Sequence, residues 1–195
     1  MTMPDQEAAP TVAERRAARR ANQTTFNLVL ALLASLGIVL FLVVVVVRPD
    51  MEPKTVDYRQ VGADAQVGID EPLAVPDLPE GWTANRAELI SGAADGVTRW
   101  EIGFLTPEGE YIGLVQGIEA NPSWVADQVR GAPSGGTERI GELAWRAYDR
   151  RDVDDPGNVE YALVAIAGAS TIVLGGTASD EEFAVLATAV GEVMS

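Results

Sequence analysis

Between Phe26 and Val47 the chain carries no ionisable side chain, and its polar interruptions are Asn27, at the edge, and Ser35. At a helical rise of about 1.5 Å per residue, such a run reaches roughly 30 Å, the thickness of a bilayer's hydrocarbon core. A helix buried in a globular core usually keeps a polar face, whereas Leu28 to Val47 is apolar all round. A cleaved secretory signal would carry a shorter apolar region followed by small residues. Here the run ends on five valines and then Arg48-Pro49, with no such site. The expectation is an uncleaved signal anchor, a transmembrane helix over residues 26–47.

Positive charge sets the orientation of such a helix. Arg15, Arg16, Arg19 and Arg20 precede the run, while Arg48 and Lys54 after it are mixed with Asp50 and Glu52. Residues 1–25 therefore read as a basic cytoplasmic tail, and the remainder of the chain as extracytoplasmic, at the cell membrane. Three of the 29 acidic residues precede the run and five of the 14 basic ones lie before Pro49, which leaves 26 acids against 9 bases beyond it, a net of −17. A surface of that sign repels nucleic acid, anionic lipid and polyanionic wall polymers. Cysteine is absent, so no disulfide or cysteine-linked lipid contributes, and the helix is the expected attachment to the lipid bilayer. Ala31 and Ser35 form a small-xxx-small pair, a pattern through which two such helices can dimerise.

Beyond the run, residues 48–73 read as an extracytoplasmic stalk or edge segment, and residues 74–195 as one domain. Pro76 and Pro79 hold an extended chain, and Gly81 allows a turn that delivers Trp82 to a core. Trp100, Ile102 and Phe104 alternate with Arg99, Glu101 and Gly103, the pattern of a half-buried strand. Thr106-Pro-Glu-Gly109 then predicts a hairpin to a strand over Tyr111–Ile118. Asn121-Pro122 predicts a capped helix that buries Trp124 and Val125, ended by the glycine-rich loop 131–136. Strands follow over Glu138–Asp149, Val159–Ala167 and Ser170–Ala178, the last two joined at Gly168-Ala169. Ser179-Asp-Glu-Glu182 is a capping box, and Phe183, Leu186, Val190 and Val193 recur behind it at helical spacing. The fold class expected is α+β: a transmembrane helix, then a mostly antiparallel sheet covered by two helices.

The chemistry open to the chain is narrow. With no histidine and no cysteine, histidine-based triads, thiol nucleophiles and the usual zinc sites are excluded, and Lys54, the only lysine, lies outside the expected domain. No phosphate-binding or nucleophile-elbow motif occurs. Carboxylate pairs arise by chance in so acidic a chain, and none is singled out, so a carboxylate-dependent hydrolase is a remote alternative. The densest cluster is Asp149-Arg-Arg-Asp-Val-Asp-Asp-Pro-Gly-Asn158. As an EF-hand loop from Asp152 it fails, because Pro156 and Leu163 stand at positions 5 and 12. Asp152, Asp154 and Asp155 keep a looser calcium site open, against a solvated hairpin loop neutralised by Arg150 and Arg151. Trp82, Trp100, Trp124 and Trp145 fall at core positions, and packing explains them better than a ligand groove. No catalytic residue and no cofactor is expected.

Leu78-Pro-Glu-Gly-Trp82, Trp100-Glu-Ile-Gly-Phe104, Thr106-Pro-Glu-Gly-Glu-Tyr111 and Gly141-Glu-Leu-Ala-Trp145, behind a basic tail and one anchor, resemble the actinobacterial single-span membrane proteins of the domain of unknown function 4245 family. The resemblance runs from the span to the C-terminus; it implies an actinobacterial envelope protein and brings no activity with it. The order of elements is also similar to PsbP-like domains, accessory proteins with an antiparallel sheet flanked by helices, some of which bind partners or small ligands. The function expected is a non-catalytic binding or accessory domain of the cell envelope, with an envelope protein as partner. The alternative is a module for a small ligand, a lipid or a cation.

Overall fold

At Thr106-Pro-Glu-Gly109 the chain reverses as its residues dictate: the Gly109 N–H donates to Thr106 O at 3.0 Å, and Gly109 takes a φ of 85°, which only glycine adopts freely. The strands on either side, β2 (Arg99–Leu105) and β3 (Tyr111–Ile118), pair with Leu105 opposite Tyr111. The computed structural model describes residues 28–40 and 55–195. Pro53–Ser195 is one compact unit, built on a seven-stranded sheet. Its remaining strands are β1 (Thr83–Ile90), β4 (Ser134–Ile140), β5 (Leu143–Asp149), β6 (Tyr161–Ala167) and β7 (Ser170–Gly176), and its helices are α2 (Tyr58–Gln66), α3 (Pro122–Gln128) and α4 (Asp180–Met194). The strand order is β1-β2-β3-β7-β6-β5-β4, and every pair is antiparallel.

One face of this sheet carries the main core. Trp100, Ile102 and Phe104 of β2, Ile112 and Leu114 of β3, Trp145 of β5 and Leu163 of β6 are all but fully buried there. Alpha-helix α4 seals the β4–β5 side with Phe183, Leu186 and Val190, while Val193 of the expected apolar stripe is left exposed. Its capping box forms in both directions between Ser179 and Glu182. On the β1 side the cover is α2, whose Tyr58, Val61 and Ala65 pack on the same core; the Tyr58 ring meets Phe104 edge-on at 5.2 Å. The opposite face is covered by α3, capped by Asn121, which accepts from the Trp124 N–H at 3.0 Å. Helix α3 can lie close because Gly117 of β3 has no side chain: a Cβ there would stand 2.7 Å from the Trp124 ring. Trp124, Val129, Val164 and Val173 form the second, smaller core.

Several expectations need correction. The stalk or edge segment, residues 48–73, is neither over its described part: Asp57 caps α2 by accepting from the Gln60 N–H, and Leu73 and Ala74 are buried in the main core. Tyr58, Val61, Gly62, Ala65 and Ile69 are helically spaced, but Gly62, where Val75 packs, weakens the pattern. Strand β1 has no counterpart among the expected elements. Its alternation is broken by a bulge between Ala84 and Arg86, and half of its residues are polar. The single strand expected over Glu138–Asp149 is a hairpin of β4 and β5, because Gly141 at φ 59° turns the chain. The sheet therefore has seven strands, and its unit has three helices, not two.

Residues 28–40 form helix α1, with every side chain exposed. Among the described residues no helix is long and apolar enough to cross a membrane. The remainder of the span expected over residues 26–47, and the tail 1–25, lie outside the described residues. Ala31 and Ser35 stand one turn apart on α1.

Candidate functional site

The three aspartates singled out by sequence stand in the loop between β5 and β6, all exposed. They do not assemble a donor set: among the described residues no group of three acidic side chains is placed to hold a metal ion. The neighbouring arginines are engaged elsewhere. Arg150 donates to Pro156 O at 2.7 Å and Val159 O at 2.9 Å, which ties the loop to itself. Arg151 pairs with Asp180 at the start of α4 and lies 4.5 Å over the Tyr161 ring. Its hydrogen bond to Asp180 holds the guanidinium above its ordinary pKa, and burial pushes the Tyr161 hydroxyl up.

The tryptophans pack, as expected. Trp100 and Trp145 are fully buried, and Trp100 donates its indole N–H to Ala74 O at 2.9 Å. Trp82 is half-buried against Phe104.

A concave site lies on the α3 face of the sheet, lined by none of the three aspartates. Because α3 is short and sits on Gly117, it covers β3, β7 and the Val164 part of β6 and leaves β5 and the Ile166 end of β6 open beside it. The resulting groove measures about 630 Å³, within the range of small-molecule sites. Its wall is Pro122, Val125 and Ala126 of α3, with Ala120 ahead of the helix and Val129 at its C-cap. The floor is Val164 and Ile166 of β6 with Thr171 of β7, and the far side is Ala144, Arg146 and Tyr148 of β5 with Thr137 of β4. Register accounts for the grouping: Thr137, Arg146, Val164 and Val173 stand opposite one another across four strands. Ile166 is 74% exposed, although it sits in a strand with a neighbour on each side.

Among the described residues no acidic side chain lines this groove, in a chain whose net charge is −15. Among the described residues Arg146 is the only charged side chain that lines it. Arg59, Arg86, Arg99 and Arg151 are in ion pairs, and Arg139 and Arg150 donate to backbone carbonyls. Arg146, like Arg130 outside the groove, makes no ion pair or side-chain hydrogen bond among the described residues, and it is exposed. Further along the same sheet face, Arg86, Arg99, Glu88 and Glu101 neutralise one another, so the exposed surface there is a solvated ion-pair network.

The sequence held one signal for the groove. Tyr161-Ala-Leu-Val-Ala-Ile-Ala167 is an unbroken apolar run, which reads as a strand buried on both faces. Only part of its second face is in fact covered.

No curated protein and no solved structure matches the chain, so the likeness to PsbP-like domains rests on element order alone. Residues 20–190 match the model of a family described as "Protein of unknown function (DUF4245)", and by that match over most of its length the chain belongs to this family.

Proposed function

We propose that the protein is a membrane-tethered, non-catalytic binding domain of the cell envelope, anchored by residues 26–47, with the groove beside α3 as its binding site. The exposed Ile166 on the groove floor is the observation that carries this reading. An isolated exposed isoleucine is ordinary, but this one belongs to a concave, largely apolar surface, and such surfaces serve ligands. The absence of histidine and cysteine from the chain, with no carboxylate in the groove, supports binding rather than catalysis. The tether rests on the uncharged run and on the arginines that precede it.

The absence of cysteine also makes the test clean, since every engineered thiol is the sole one. Ile166→Cys in the full chain is labelled with a maleimide in native membranes and again after delipidation in detergent, with Asp154→Cys as the exposed reference. An occupied groove slows labelling at position 166 relative to position 154 in membranes and releases it after delipidation. Equal relative rates in both preparations would mean that the groove holds nothing.

A further inference from the structure

The groove's shape and charge narrow what it can hold. Its wall and floor present aliphatic side chains with no acceptor or donor beyond the hydroxyls of Thr137, Thr171 and Tyr148, the Asn121 amide and the Arg146 guanidinium. An apolar body therefore fits its length, and a polar group is tolerated chiefly on the β5 side. A neutral apolar ligand would leave Arg146 beside it without a counter-charge. A dianion would meet only one cation, within the field of a strongly acidic chain. One negative charge at the end of an apolar chain matches both.

We propose that the α3 groove binds a single-chain amphiphilic monoanion, a long-chain alkyl carboxylate. Its carboxylate pairs with Arg146, and its chain lies over Val164 and Ile166 against Val125 and Val129. The guanidinium's fork matches a carboxylate in two-point geometry, and Thr137, opposite Arg146 on β4, offers a hydroxyl beside it. The carboxylate specifies orientation and the chain supplies affinity, so affinity rises between about twofold and fourfold per methylene until the groove is filled. This inference rests on the groove being the binding site, and it adds the class of ligand.

The test uses the full chain in nanodiscs and two photoactivatable probes, a diazirine-bearing hexadecanoic acid and the corresponding hexadecanol, with labelled residues mapped by mass spectrometry. The acid is expected to label the α3 and β6 peptides. Arg146→Gln should lower that labelling at least tenfold, Arg146→Lys should restore a large part of it, and labelling by the alcohol should be unchanged in both variants. Ile166→Trp, which fills the floor, should remove labelling by either probe. Acid labelling of the groove that is indifferent to Arg146→Gln, or matched by the alcohol in the unaltered chain, overturns the monoanion while leaving the groove as a binding site. If neither probe labels the groove above the level seen in Ile166→Trp, both the ligand class and the site are overturned.

Discussion

Gln116 is the point at which the segment before β1 is locked to the sheet, and its replacement by leucine should cost about 3 kcal/mol. The side chain is fully buried on the main-core face of β3. Its Oε1 accepts from the Ala74 N–H at 2.7 Å, and its Nε2 donates to Pro72 O at 2.7 Å and to Ser170 Oγ at 2.8 Å. Ala74 is itself fully buried, so leucine would strand its N–H without an acceptor, at about 1–3 kcal/mol. Pro72 is exposed, so its carbonyl can turn to water, and Ser170 keeps Glu71 at 3.4 Å, so those two losses add only about 1 kcal/mol together. For a domain of this size the sum lowers Tm by roughly 10 °C. Urea unfolding of the full chain in nanodiscs, followed by tryptophan fluorescence, gives the difference directly, with Ser170→Ala as a milder companion at about 1 kcal/mol. A loss below about 1 kcal/mol for Gln116→Leu would show that residues 72–74 are not held as part of the core, and that the domain begins after them.

Gly117→Ala places a methyl against the Trp124 ring and should destabilise by about 1–3 kcal/mol while shifting tryptophan emission, since α3 must lift to admit it; unchanged emission and stability would contradict the close seating of α3. Calcium at millimolar levels should leave the melting temperature of the chain and of its Asp152→Asn and Asp154→Asn variants unchanged, because these exposed carboxylates form no donor group; a rise in Tm that the variants abolish would restore the metal site. Burial raises the hydroxyls of Tyr58, Tyr111 and Tyr161 above their ordinary pKa of 10.0. The folded form then holds protons that the unfolded chain has released, so their contribution to stability is fully present below pH 10 and is lost as pH rises through the raised values. Absorbance titration of phenolate in the folded chain should show those three ionising later than a tyrosine in a denatured control.

How much of this was legible in the sequence follows from how local each signal is. The turn at Thr106–Gly109, the Asn121 cap and the Ser179–Glu182 box are settled by side chains that bond within four residues, and all three form as read. Strand β1 was hidden because its partner, β2, supplies the buried side chains and its own Arg86 and Glu88 belong to an ion-pair network across strands. Helix α2 was hidden by Gly62, which serves Val75 and Trp100 and not the helix itself. The groove is less legible still. It exists because a seven-residue α3 is too short to cover the whole second face, and that shortfall depends on where Gly117 seats it. Arg146 looked like any exposed strand residue until the register placed it beside Val164.

In the function proposed above, the groove opens outside the cell while the arginine-rich tail stays inside. Two single-cysteine variants of the full chain, Ala13→Cys and Asp154→Cys, exposed to a membrane-impermeant maleimide on intact cells, test this directly. Labelling of Asp154→Cys in intact cells, with Ala13→Cys labelled only after lysis, is the predicted result. Labelling of Asp154→Cys only after lysis would place residues 55–195 in the cytoplasm and contradict the proposed function.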